Sequence, residues 1–198
     1  MKKLLRSFAA NPQSWINVTG ASWLGANRLV IHLSLQRGRR GSVVQRWDVE
    51  ARGVRDVHIV DTNGGGLQLS GARHPAARQY LDEYDVLSFK GPVANVNALV
   101  GELYVAHEEL VDDWISLDKY LPSARLLASL FSRNRGRLCR GPRFLLRRYE
   151  HVLRGNGLNT ARRAVKRSQP RNAHLLHFGA SFVVAERFRA TLNEPLAP

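Results

Sequence analysis

The chain has 198 residues, an apolar content of 44% and a formal net charge of +14. This apolar fraction excludes an intrinsically disordered chain, and the length allows one domain, or one domain with a small appendage, around a sizeable core. Its only cysteine, Cys139, excludes an intrachain disulfide and is consistent with a reducing compartment.

The N-terminal residues have only one part of a secretory signal peptide. The start MKKLLRSFAANPQSW is positively charged, but Arg6 and Ser7 interrupt the apolar run after two leucines. No stretch approaches the roughly eighteen apolar residues of a membrane span. We therefore expect a cytoplasmic protein without a membrane partner.

The first ninety residues predict an antiparallel sheet of about five short strands. In residues 28–36 the apolar residues Leu29, Ile31, Leu33 and Leu35 alternate with polar ones, which is typical of a half-buried strand. The other predicted strands are residues 43–51, 57–60, 67–69 and 84–89, with an edge strand at residues 15–19. Short consecutive strands separated by turns pair antiparallel.

The second half predicts mainly helices. An apolar stripe from Val96 to Val111 indicates a long helix whose apolar side packs on the sheet. Further helices are predicted at residues 123–131, 142–154 and 159–167, with a basic loop at 133–140 and a strand at 174–178. Residues 181–188 fit either a helix or a strand, and a helix that starts at Ser181 is preferred. The predicted fold class is α+β, with an N-terminal antiparallel sheet packed by C-terminal helices.

Charge is distributed unevenly along the chain. Residues 1–122 hold fourteen basic and thirteen acidic side chains, a net charge of +1, whereas residues 123–198 hold sixteen and three, a net charge of +13. We therefore distinguish a near-neutral region, residues 1–122, with the sheet and the long helix, from an Arg-rich helical region, residues 123–198. The two regions are either separate domains or parts of one domain.

The segment 133–171 is the predicted binding region. It holds thirteen Lys and Arg residues and one acid, Glu150. An anionic partner would relieve the repulsion among these charges and release its own counterions, so such a stretch is typical of nucleic-acid binding. The predicted phosphate contacts are Arg133, Arg135, Arg137, Arg140, Arg143, Arg147, Arg162, Arg163, Lys166, Arg167 and Arg171.

The basic charge also has two possible causes that involve no partner. The excess of Arg over Lys, twenty-five against five, could reflect codon composition alone. Alternatively, the acidic residues of the first part of the chain neutralise the arginines of the second within the fold, foremost those on the outer face of the long helix. These residues are Glu102, Glu108, Glu109, Asp112 and Asp113, and His107 is expected on the same face.

No group in the sequence points clearly to catalysis or to a metal. Cys139 lies between Arg137 and Arg140, whose charge would lower its pKa, but no histidine stands at a catalytic spacing. His107 lacks a second histidine four residues away, as a zinc protease helix requires. We therefore predict a non-enzymatic protein with no cofactor and no metal.

The predicted function is nucleic-acid binding, to RNA or DNA phosphate. The predicted helix at 159–167 has no outward Asn or Gln to read a base, so we expect phosphate contacts without base readout. A subunit of a larger assembly would fit this function. The alternatives are a module that docks an acidic partner protein through the same arginines, and an enzyme that uses His58, His74 or His107.

Overall fold

The structure, a computed structural model, describes residues 1–10, 14–39, 41–60, 63–64, 66–166 and 168–195. The described chain is α+β, which confirms the predicted fold class. It divides into two compact units, residues 1–77 with 170–198, and residues 78–169.

The elements are numbered in chain order. The strands are β1 (Ser14–Trp23), β2 (Arg28–Arg37), β3 (Val43–His58), β4 (Asn63–Gly64), β5 (Leu67–Ser70), β6 (Tyr84–Lys90), β7 (Arg135–Pro142), β8 (Asn159–Val165), β9 (His174–Phe178) and β10 (Ser181–Pro195). The helices are α1 (Lys2–Ala9), α2 (Pro75–Leu81), α3 (Val96–Val111), α4 (Ala124–Phe131) and α5 (Arg143–Gly155), with 3-10 turns at Asp112–Trp114 and Leu117–Lys119. Within the described ranges, none of these helices has both the length and the apolar character to cross a membrane.

The first unit is an antiparallel sheet with the strand order β4-β1-β2-β3-β10-β9-β5. The four alternating apolar residues of β2 that were predicted to share one side, from Leu29 to Leu35, are all buried. The strand predicted at 43–51 and the first two residues of the one predicted at 57–60 belong to one continuous strand, β3. Gly53 allows this continuity, because its φ of 65° permits the local irregularity that a side chain would strain.

The two edge strands of this sheet come from neighbouring parts of the chain. Its two outer strands, β4 and β5, are adjacent in the chain although they lie at opposite ends of the strand order. A β-carbon on Gly64 would lie 2.8 Å from the backbone nitrogen of Gly179, so β4 lies close to the turn that follows β9. Leu4 of α1, 1% exposed, joins the apolar core of the sheet.

The second unit is a three-stranded antiparallel sheet in the order β7-β6-β8, with α3, α4 and α5 packed on one side. We call this side the helical side. Asn95 starts α3 by accepting a hydrogen bond from the backbone nitrogen of Ala98 at 3.0 Å. The apolar stripe of α3 is buried at Leu99, Val100 and Leu103, as predicted, and Leu110 is half-buried.

Three predicted elements of the second half are wrong. Residues 159–165 of the helix predicted at 159–167 form β8, and the basic loop predicted at 133–140 is largely β7. Residues 181–188, for which a helix was preferred to a strand, are part of β10. The reason is long-range pairing: β8 and β7 pair with β6, and β10 pairs with β3, all far away in the chain. The strand predicted at 84–89 exists, but it is the centre of the second sheet.

The two glycines of β7, Gly136 and Gly141, made this segment resemble a loop in the sequence. In the structure they allow other residues to pack closely against the strand. Gly136 and Gly141 lie on the helical side, opposite Phe89 and Asp85. A β-carbon would lie 2.6 Å from Leu130 at Gly136 and 2.9 Å from the ring of Tyr120 at Gly141. The strand therefore needs glycine where α4 and the Tyr120 ring approach its backbone.

Candidate functional site

The side of the three-stranded sheet opposite the helices is rich in basic side chains. Along β6, Leu87 and Phe89 point to the helical side and are buried, so Val86, Ser88 and Lys90 point the other way. Directly paired residues of antiparallel strands share a face. The register of β7 and β8 therefore identifies the other members of this face.

Three arginines reach this face from β7. Arg135 pairs with Lys90, Arg137 with Ser88 and Arg140 with Val86. Arg137 and Arg140 are three positions apart and would face opposite ways in a regular strand. A register shift at Leu138 adds one residue on the helical side. Both arginines consequently lie on the side of the sheet opposite the helices, which we call the open side.

One arginine reaches the same face from β8. Arg163 pairs with Val86, whereas its neighbour Arg162 pairs with Leu87 on the helical side. The five cationic residues on the open side are all exposed, and we call them the basic face: Lys90, Arg135, Arg137, Arg140 and Arg163. Within the described residues, none of the five forms an ion pair with a carboxylate.

The register sets the dimensions of the basic face. Side chains two residues apart on a strand are separated by about 6.7 Å, which places Arg135 and Arg137 at that spacing along β7. Arg140 and Arg163 flank Val86 from both sides, two strand spacings or about 10 Å apart. Between them the floor of the face holds short side chains, among them Val86, Ser88 and Ala161.

Lys90 is the one member of the basic face that was not among the predicted contact residues. It lies one residue beyond the predicted strand 84–89 and outside the segment 133–171, the Arg-rich segment from which the contacts were predicted. The alternation of Val86, Ser88 and Lys90 with Leu87 and Phe89 is visible in the sequence and could have placed it on the open side.

Two predicted contact residues are engaged in ion pairs on the helical side. The buried Asp85 accepts hydrogen bonds from Arg143 Nε at 3.2 Å and Arg162 Nη1 at 3.1 Å, while Arg162 Nε lies 2.7 Å from a carboxylate oxygen of Glu150. The hydrogen bond to Asp85 raises the pKa of Arg143. Glu83 also pairs with Arg143. Both guanidinium groups thus stabilise the second unit.

Four further predicted contact residues are described, and the strand register does not place them on the basic face: Arg133, Arg147, Lys166 and Arg171. Arg147 is exposed on α5, Arg133 lies in the turn between α4 and β7, and Arg171 belongs to the first unit. Lys166 follows β8 and lines a cleft of about 400 Å³ with Glu83 and Arg143. The prediction for Arg167 lies outside the described residues.

The acidic face of α3 does not neutralise the Arg-rich segment. Among the described residues, one ion pair links that segment to the five acids proposed for this role, between Arg148 and Glu109. Glu102 accepts a hydrogen bond from Asn156. Glu108, Asp112 and Asp113 are exposed, with carboxylate oxygens within 4.8 Å of one another.

His107 is buried, so its expected place on the outer face of α3 is wrong. Its Nδ1 lies 2.6 Å from the hydroxyl of Tyr149 and its Nε2 lies 2.7 Å from the carbonyl oxygen of Ile115. Since a carbonyl can only accept, Nε2 carries the proton and Nδ1 accepts from Tyr149. The imidazole therefore links α3, α5 and the segment after α3. Four-residue steps from Leu103 to position 107 and then to Val111 would have predicted this burial.

Cys139 is also directed into the core. It pairs with Leu87 on the helical side, and burial raises the pKa of its thiol to about 12. The neighbouring arginines do not lower the pKa of Cys139 as expected, because Arg137 and Arg140 point to the opposite side of the sheet. The thiol stays protonated at neutral pH, which removes it as a nucleophile.

The other two histidines considered for catalysis lie in the first unit. His58 stacks on Phe182 with ring centroids 5.3 Å apart. The ring of His74 lies 6.4 Å from that of His177, and desolvation lowers the pKa of both. Neither arrangement identifies a reaction.

No known protein family, curated protein or solved structure matches the chain. The function is therefore inferred from the geometry and the charge of the basic face.

Proposed function

We propose that the protein is a non-enzymatic nucleic-acid-binding protein that holds the phosphate backbone of its ligand on the basic face. The observation that carries the proposal is the juxtaposition of like charges that have no acidic partner among the described residues. Lys90 and Arg135 are directly paired across two strands, and Arg140 and Arg163 flank Val86. An array of this kind costs the free protein stability.

Phosphate is the ligand group that relieves this repulsion. Four of the five cations are arginines, whose planar guanidinium matches phosphate oxygens with two parallel hydrogen bonds. Each contact also releases counterions condensed on the nucleic acid, which gives binding an entropic drive. The ion-paired Arg143 and Arg162 contribute instead to folding.

The basic face favours contacts that are independent of sequence. The side chains between the cations, Val86, Ser88 and Ala161, are short. They cannot reach base edges in a groove while the surrounding arginines contact the backbone. Phosphate contacts position a ligand but carry no direct sequence information. We therefore expect similar affinity for nucleic acids of different sequence.

The proposal is tested by fluorescence anisotropy with labelled RNA and DNA over a series of salt concentrations. Five phosphate contacts on a duplex predict a slope of log K against log salt of about −4.5. The double variant Arg137→Gln/Arg140→Gln should make the slope shallower by about two on every sequence. Absence of binding at low salt would refute the proposal.

Arg147→Gln is a control, because Arg147 is also exposed but lies on α5 and not on the basic face. It should bind like the wild type. A loss in this control as large as in the double variant would indicate that net charge, and not the basic face, determines binding.

A further inference from the structure

Among the described residues, the five cations of the basic face surround no exposed ring on which bases could stack. The other side chains on this side of the strands are Val86, Ser88, Asn159 and Ala161, with Tyr84, Pro142 and Val165 at the end away from Lys90. Phe89 is buried on the helical side, 4% exposed.

Tyr84, at the end of β6, is held by contacts with Tyr120. The Tyr84 hydroxyl lies 2.9 Å from that of Tyr120, and the two rings meet edge to face at 6.5 Å. Tyr84 also packs against the helical core. Surfaces that hold single strands combine a basic groove with aromatic platforms, and this face has only the charges.

The charges also extend in two directions. Arg135, Arg137 and Arg140 form a row along β7, with a spacing similar to that of successive phosphates on one strand. Arg163 lies off this row, about 10 Å from Arg140 across β6. A single strand that follows the row leaves Arg163 without a phosphate, whereas a double helix presents a second line of phosphates.

Charge density favours the double helix as well. A duplex carries one phosphate per about 1.7 Å of its axis, both strands counted, and releases more counterions per contact than a single strand does. Because base stacking adds no affinity for a single strand here, the larger counterion release favours the duplex.

We propose that the ligand of the basic face is a double helix, of RNA or DNA, with one backbone along the β7 arginines and the other at Arg163. This inference rests on the proposed function, since it specifies which nucleic acid the same face binds. The ligand is recognised by its paired backbones and not by its bases.

The test compares a labelled 20-base-pair duplex with its own single strand, as RNA and as DNA, by anisotropy over a salt series. The wild type should bind at least one duplex about tenfold or more tighter than the matching single strand at low salt. Arg163→Gln should make the duplex slope shallower by about 0.9 and leave the single-strand slope unchanged. Arg137→Gln, within the row, should make both slopes shallower.

The two levels of the proposal fail differently. Equal affinity for duplex and single strand, or an equal effect of Arg163→Gln on both slopes, would overturn the double-helix inference and leave phosphate binding in place. Absence of binding to all four ligands would overturn the proposed function itself. The RNA and DNA arms identify which duplex the face holds.

Discussion

Arg162 and Arg163 are neighbours in the chain but lie on opposite sides of the three-stranded sheet. Arg162 pairs with Leu87 and reaches Asp85 and Glu150 on the helical side, whereas Arg163 pairs with Val86 on the open side. Successive side chains of a strand alternate in direction, so two identical residues take different roles. One guanidinium is held by two carboxylates, and the other is exposed on the opposite side without a carboxylate partner among the described residues.

Loss of the Tyr149 hydroxyl should destabilise the second unit. Tyr149→Phe leaves Nδ1 of the buried His107 without its donor, and an unsatisfied buried polar atom costs about 1–3 kcal/mol. Urea denaturation should show a corresponding loss in the free energy of unfolding. His151→Gln, at an exposed position of the same helix, is the control and should change stability by less than about 0.5 kcal/mol. Equal stability of the two variants would contradict the role of this hydrogen bond.

A methyl group at position 141 should be too large for the packing of β7. In Gly141→Ala the new β-carbon would lie 2.9 Å from the Tyr120 ring, whose hydroxyl is fixed by a hydrogen bond to Gln79. Overpacking of this kind costs about 1–3 kcal/mol, measurable by thermal or urea unfolding.

Gly155→Ala is the matched control for that substitution. A β-carbon at Gly155 meets nothing within 4 Å, and its φ is not in the left-handed region. This change should stabilise the protein by up to about 1 kcal/mol, because alanine has less backbone freedom in the unfolded chain. Similar effects of the two alanines would disprove the steric explanation for Gly141.

In the first unit, acid stability should depend on Glu50. Hydrogen bonds from Arg52 and Arg28 lower the pKa of this carboxyl from 4.5 to about 2. Because the folded pKa is depressed, the stabilisation is complete above the unfolded value and is lost as the pH falls towards 2.

Thermal unfolding between pH 5 and pH 2 measures this effect. Glu50→Gln should be less stable than the wild type at pH 5, and the difference should shrink as the pH falls. Glu108→Gln, at an exposed position on α3, is the control. A difference between Glu50→Gln and the wild type that stays constant over this range would contradict the assignment.

Elements with a long, one-sided apolar pattern could be predicted from the sequence. β2 and α3 followed from alternation and from a helical stripe, and α5 followed from Pro142 at its start and the apolar side from Leu145 to Leu153. In each case one side of the element is buried, so apolar residues recur at the period of a strand or a helix and can be recognised in the local sequence. The α+β class was therefore accessible without the structure.

The candidate site could be predicted only in part, because strand pairing determines it. The segment 159–165 is short, and Ala161, Ala164 and Val165 fit a helical side as well as an edge strand. Its pairing with β6 depends on residues about seventy-five positions away, which local patterns do not contain. The charge count pointed to the segment that holds four of the five cations of the basic face, but it could not separate Arg162 from Arg163 or place Lys90 beside Arg135.

The most direct test compares Arg162→Gln with Arg163→Gln for binding and stability. Arg163→Gln should make the salt slope of duplex binding shallower by about 0.9 and change the free energy of unfolding by less than about 0.5 kcal/mol. Arg162→Gln should lower the free energy of unfolding by about 1–3 kcal/mol, because Asp85 and Glu150 lose a charged donor, and should keep the wild-type slope. Equal effects of both variants on the salt slope, or no effect of Arg163→Gln, would contradict the assignment of phosphate binding to the basic face.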